Sequence, residues 1–200
     1  MNIQRKSMMI AALAATAAAA IAATVGQPAP EFELKDTGGT AHTLSDFKGK
    51  HVVLEWTNPD CPFVKKHYDQ GDMQALQKEY TAKGVIWLSI ASSAPGKQGH
   101  YTAEQWTELK KTKGHQSTAV LLDPDGKVGK QYDARTTPHM FVINPEGRLI
   151  YAGAIDDNPS TRPADVKTAR NHVRAALDEA MSGQPVSVPS SKPYGCSVKY

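Results

Sequence analysis

A chain of 200 residues that is 40% hydrophobic and 22% charged has enough apolar material for one ordinary core, and it falls outside the compositions of disordered and fibrous proteins. Lys and Arg number 23 against 20 Asp and Glu, a formal net charge of +3, but Arg5 and Lys6 lie at the very start, so the chain from residue 23 onward carries 21 against 20. No basic footprint for nucleic acid is left.

The opening, MNIQRK followed by SMMIAALAATAAAAIAAT, is a short basic start and an alanine-rich apolar run ending in small residues. This predicts a secretory signal peptide over residues 1–22, with Ala20-Ile21-Ala22 as cleavage signal, and a periplasmic or secreted mature protein. A retained anchor is the alternative; the apolar run is short for a span and alanine contributes little apolar area. No later segment reaches transmembrane length, so no membrane association is expected after cleavage. Exported chains meet an oxidising compartment, and two cysteines, too few for a disulfide scaffold, leave either one structural staple or a redox pair.

Residues 23–183 read as one domain. Short strands around a Gly38-Gly39 turn lead to a confident strand over 51–57, HVVLEWT, which Asn58, Pro59 and Asp60 stop. A helical pattern begins at Pro62, breaks near Gly71 and restarts with Asp72 as N-cap, ending at Lys83-Gly84. After a strand over 85–90, Thr102 and Gln105 form a capping box for a helix to about residue 111. A strand over 118–123, a Pro124-Asp125-Gly126 turn and a short helix at 128–132 follow. Strands over 139–144 and 148–155 flank Pro145-Glu146-Gly147 as a hairpin. The spacing of Val166, Ala169, Val173, Ala176 and Leu177 predicts a last helix over 164–181. Residues 184–200 have no helical period and carry Cys196. This order implies an α/β fold with a central mixed sheet and helices on both faces, in which sites form where strands end and helices begin.

Cys61 stands at such a junction. A cysteine is nucleophilic as its thiolate, and the first N–H groups of a helix favour negative charge. With Cys61 as N-cap its sulfur can accept from the amides of Phe63 and Val64, Pro62 suits the first helical position, and Lys65 and Lys66 add positive charge. These features predict a reactive thiol; a buried, inert cysteine beside a strand is the other reading.

The stretch QPAPEFELKDTGGTAHTLSDFKGKHVVLEWTNPDCPF followed by TTPHMFVINPEGRLIYAGAI resembles the thioredoxin-like redoxins, a group that takes in peroxiredoxins, alkyl hydroperoxide reductases and periplasmic thiol:disulfide oxidoreductases. The resemblance runs from about Gly26 to Leu177 and implies a thioredoxin-like fold and thiol-based oxidoreductase chemistry without a cofactor or metal. It makes Cys61 the attacking thiol beside Pro62, and Thr137-Pro138 a cis-proline pair whose backbone holds an extended substrate; an ordinary trans turn is the alternative there. Two departures stand out. CPFV has Val64 where C-x-x-C has its second cysteine, and counting back from Cys61 puts Asn58 and Leu54 where peroxiredoxins have threonine and proline. Asn58 and Arg135 are the candidates to bond and polarise a substrate oxygen. The expected partners are an oxidised protein disulfide or a hydroperoxide, and a reductant the sequence does not identify. Cys196, on an arm made flexible by Gly195, is the one intramolecular thiol that can resolve an oxidised Cys61. A permanent Cys61–Cys196 staple in a non-catalytic binding module, and pairing with another chain, are the alternatives.

Other signals carry less. Cys61, His67 and His139 match no zinc or copper spacing. His67 reads as a helix-surface residue, Asp156 and Asp157 as a solvated loop end, and GKVGK as too short for a phosphate loop. Trp56, Trp87 and Trp106 read as packing, with Trp56 near enough in sequence to wall the thiol pocket.

Overall fold

The computed structural model describes residues 22–200; residues 1–21, which hold nearly all of the expected signal peptide, lie outside the described residues. Strands β1 (Glu33–Asp36) and β2 (Ala41–Thr43) pair around the Gly38-Gly39 turn. β3 (Val52–Trp56) is buried at every position and stops at Asn58. It is followed by α1 (Pro62–Tyr68), α2 (Asp72–Ala82), β4 (Ile86–Ala91), α3 (Ala103–Thr112), β5 (Ala119–Leu122) and α4 (Lys127–Gln131). The chain continues through β6 (Thr136–Thr137), β7 (His139–Ile143), β8 (Leu149–Gly153), α5 (His172–Met181) and β9 (Cys196–Ser197).

Seven strands form one mixed sheet in the order β2-β1-β5-β4-β3-β7-β8, with β3 parallel to β4 and antiparallel to β7. Because strand residues alternate between faces, β3 divides the core. Val52, Leu54 and Trp56 join Leu88, Leu121, Tyr132 and Phe141 on one side, where α4 packs through Val128. Val53 faces the other side with Cys61, Tyr68, Tyr80, Met140 and Leu177, covered by α1, α2 and α5. Helices therefore lie on both faces, as the alternating pattern predicts. Among the described residues no helix is long and apolar enough to cross a membrane.

Local signals set most boundaries. Thr102 caps α3 with Gln105 in the predicted reciprocal box. Two expectations are corrected. Gly71, in the left-handed conformation at φ 82°, is the N-cap of α2, and Asp72 is its first helical residue. The last helix starts eight residues later than the 164–181 periodicity suggests, after a separate 3-10 turn over Pro163–Lys167. Asp157 accounts for the break: its carboxylate accepts from the Arg170 amide and its own amide donates to the Arg170 carbonyl. That tie pulls residue 170 out of the helix, and Asn171 starts a new one by accepting from the Arg174 amide.

Glu55 lies wholly inside this core, where its carboxylate accepts from Tyr68 (2.7 Å), Trp87 Nε1 (2.8 Å), Gln77 (3.1 Å) and Ser89 (3.2 Å). Desolvation still outweighs these four bonds and holds the carboxyl above its ordinary range. A carboxyl that ionises earlier in the unfolded chain than in the fold contributes stability at acid pH, and that stability is lost as pH rises through the folded value. Measured against the parent chain by chemical denaturation, Glu55→Gln should therefore gain stability as pH rises from the ordinary carboxylate range through the folded value. Identical pH slopes for the two proteins would refute this.

Candidate active site

Asn58 stops β3 and turns the chain through its own side chain, whose Oδ1 accepts from the Asp60 amide (2.9 Å) while Nδ2 donates to the Gln98 carbonyl (3.3 Å). The turn delivers Cys61 to the N-cap of α1 with Pro62 at the first helical position. The expected bonds from the Phe63 and Val64 amides to the sulfur are not made. Cys61, with 0% exposure, points instead at the Thr137 carbonyl (3.0 Å) and at Cys196 Sγ (2.7 Å).

Cys196 reaches that position because the tail is bound to the domain along its length. Ser191 bonds the β8 edge through its amide to the Ala152 carbonyl, and its hydroxyl accepts from the Ala154 amide. β9 then pairs antiparallel with β6, setting Cys196 opposite Thr137 and Ser197 opposite Thr136. Val198 donates to the Arg135 carbonyl (3.1 Å), and Lys199 accepts from the Ala94 amide (2.8 Å). The Thr137-Pro138 bond is cis. Gly195, read in the sequence as a source of flexibility, has a different role: at φ 141° it lies so close to β6 that a Cβ would stand 2.1 Å from the Thr137 carbonyl oxygen. The arm is docked, and the glycine is what lets it dock.

Beside the sulfurs lies a buried polar cluster that the sequence did not reveal. Lys66, expected to lend free positive charge to Cys61, is wholly buried and bonded to the Asn158 carbonyl (2.6 Å), Asp156 (3.3 Å) and Tyr194 Oη (3.3 Å). The Tyr194 hydroxyl donates to Asp156, and His67 Nε2 lies 3.8 Å from the same carboxylate. His67 is therefore not on the surface and Asp156 is not a solvated loop end; both are buried, with Tyr194 of the tail against them. The sequence signal for this cluster was faint, a tyrosine placed two residues before the second cysteine.

Thr137 and Pro138 border the sulfurs. The Arg135 guanidinium forms an exposed pair with Asp133, and its backbone carbonyl receives the tail. Trp56 lies on the opposite side of the sheet from Cys61, against Tyr132 and Phe141, so it does not wall the thiol. His139 is buried, its Nδ1 accepting from the Arg135 amide (3.2 Å). Burial, and then the neighbouring Cys61 sulfur, push the Cys196 thiol up to about 12, so Cys196 stays protonated while it faces Cys61. Desolvation pushes His67, His115 and His139 each down to about 4.

Residues 25–152 match the family model described as the AhpC/TSA family. The thiol-disulfide oxidoreductase ResA of Bacillus subtilis (strain 168) is 31% identical over 125 residues, which is 62% of this chain and 64% of ResA, just under two thirds of that protein's length. Peroxiredoxin Bcp of the same organism is 25% identical over 150 residues, covering 63% of this chain and 82% of Bcp. Among solved structures, a hypothetical protein from Sinorhizobium meliloti 1021 superposes with a TM-score of 0.75 at 27% identity, covering 88% of this chain and 94% of that one. The architecture is thioredoxin-like, as expected from the resemblance.

Two outcomes follow from this geometry. Gly195→Ala forces β9 away from Thr137, so the reduction potential of the Cys61–Cys196 couple should rise by about 30 mV or more, tenfold in equilibrium constant; an unchanged potential would contradict the close approach. The three neutral histidines stabilise the fold above their unfolded value near 6.5, and that stability is lost as pH falls toward about 4. Denaturation midpoints should drop across that window, and replacing His115 by Gln should shrink the drop.

Proposed function

Because the chain belongs to the AhpC/TSA family and its two cysteines meet sulfur to sulfur where a central strand gives way to a helix, we propose that it is an exported thiol-disulfide oxidoreductase in which Cys61 attacks and Cys196 resolves. Export rests on the signal-like opening of the sequence. The observation that carries the chemistry is the 2.7 Å approach of two sulfurs that are 135 residues apart in sequence.

In the first step the Cys61 thiolate attacks one sulfur of a substrate disulfide. A mixed disulfide forms, and the other substrate sulfur leaves as a thiolate. In the second step Cys196 attacks the Cys61 sulfur, its proton passing to the substrate sulfur that leaves Cys61, and the substrate departs as a thiol. The products are a dithiol and an oxidised Cys61–Cys196 pair, which an external dithiol reductant returns to its starting state. Pro62 keeps the mouth of α1 free of an unpaired N–H beside the sulfur. Thr137 and Pro138 present the backbone edge along which the entering chain lies.

A hydroperoxide is the second reading, favoured by the likeness to Bcp. Attack would give a Cys61 sulfenic acid and an alcohol, and condensation with Cys196 would release water. The side chains that would bond a peroxide are engaged elsewhere, Asn58 in its turn and Arg135 with Asp133, which supports the disulfide.

Mass spectrometry after mixing reduced protein with oxidised glutathione tests the scheme. The parent chain should lose two hydrogens and carry no adduct, while Cys196→Ser should stop as a Cys61–glutathione adduct. An adduct on Cys196 in the parent chain, or no reaction at Cys61, would overturn it. Stopped-flow mixing with hydrogen peroxide should show no acceleration over a free thiol; a large acceleration would move the assignment to peroxide.

A further inference from the structure

Cys61 is buried beneath the tail, so a substrate sulfur reaches it only by taking the place of Cys196. What the tail leaves behind on release is a mould with three features. The first is the free edge of β6, which the described chain pairs with β9. The second is a slot for the Tyr194 side chain. Phe63 meets its ring edge-on at 5.8 Å, Lys66 Nζ lies 5.4 Å from its centroid, and Asp156 accepts from its hydroxyl. Emptying the slot strips a partner from two side chains that are almost wholly buried, which is unfavourable until another group refills it. The third is steric. At the position of Gly195 the Thr137 carbonyl leaves no room for a Cβ, and the neighbour that would have to yield is backbone.

Resting on the oxidoreductase reading, we propose that this groove is a specificity site for an extended, oxidised polypeptide whose reactive cysteine follows a glycine and, one residue further back, an aromatic residue. The tail's own Tyr194-Gly195-Cys196 is such a sequence and occupies the groove at rest. A second anchor keeps it there: the Tyr200 side chain fits a notch where Gly126 and Gly129 lack side chains, and a Cβ would stand 2.3 Å from its ring at Gly126 and 2.4 Å from its hydroxyl oxygen at Gly129. Its hydroxyl donates to the Ala134 carbonyl (2.7 Å). This is the role of the glycines in the GKVGK stretch.

Cys61 attacks the substrate cysteine seated in the groove, the disulfide partner of that cysteine leaves as a thiolate, and a Cys61–substrate disulfide remains. Tail and substrate need the same edge, so the return of Cys196 both resolves the mixed disulfide and displaces the reduced polypeptide.

The test uses the full chain carrying Cys196→Ser, reduced, with three synthetic peptides whose cysteine bears 5-thio-2-nitrobenzoate: Tyr-Gly-Cys-Ser-Val-Lys, Ala-Gly-Cys-Ser-Val-Lys and Tyr-Ala-Cys-Ser-Val-Lys. Release of the coloured thionitrobenzoate anion reports attack at the peptide sulfur. The first peptide should react at least tenfold faster than the other two. Adding Tyr194→Ala, which loosens the resident tail, should speed the first peptide further; an unchanged rate would show that the tail does not hold the groove. Equal rates for all three peptides, above a Cys61→Ser background, overturn this proposal and leave the oxidoreductase reading standing. Release no faster than that background overturns both.

Discussion

Thr136 and Thr137 pair with Ser197 and Cys196, and this two-residue ladder brings a sulfur from 135 residues away onto the mouth of α1. So short a ladder has little stability of its own. It persists because its flanks are fixed, by Ser191 on β8, by Tyr194 in the polar cluster and by Tyr200 in its notch. Remove the glycine between Tyr194 and Cys196 and the strand cannot come within bonding distance of Thr137. The surroundings of both cysteines follow from this contact: the burial of Cys61 and the raised thiol of Cys196.

The same contact explains the concentration of polar groups under the tail. Lys66, Asp156, His67 and Tyr194 form an ion pair with two neutral neighbours, and removing one member leaves the others buried and unmatched. Such a cluster favours a fully seated tail over a partly seated one. Glu55 differs, since its four donors all belong to the core and none to the tail.

Much of this was legible in the sequence, for reasons of range. The strand stop at Asn58, the N-cap position of Cys61, the Thr102–Gln105 box and the β7–β8 hairpin are set by neighbours within a few residues, and the structure repeats them. The tail was not legible as a strand, because Cys196 and Ser197 are extended through pairing with Thr136 and Thr137 and through no period of their own. Burial of His67 and Asp156 was hidden for the same reason: Tyr194, distant in sequence, covers them. GKVGK is too short for a phosphate loop, and nothing near Gly126 and Gly129 in sequence signals that Tyr200 packs between them. The spacing of Val166 and Ala169 suits a helix from residue 164, but the tie between Asp157 and Arg170 overrides it.

Amide hydrogen exchange over residues 194–200 of the reduced, full-length chain addresses the docked tail most directly, because the Val198 amide is bonded to the Arg135 carbonyl only when β9 is in place. A seated tail predicts exchange of this segment at least tenfold slower than in an unstructured peptide of the same sequence. Exchange at the unstructured rate, with the domain otherwise protected, would contradict the account.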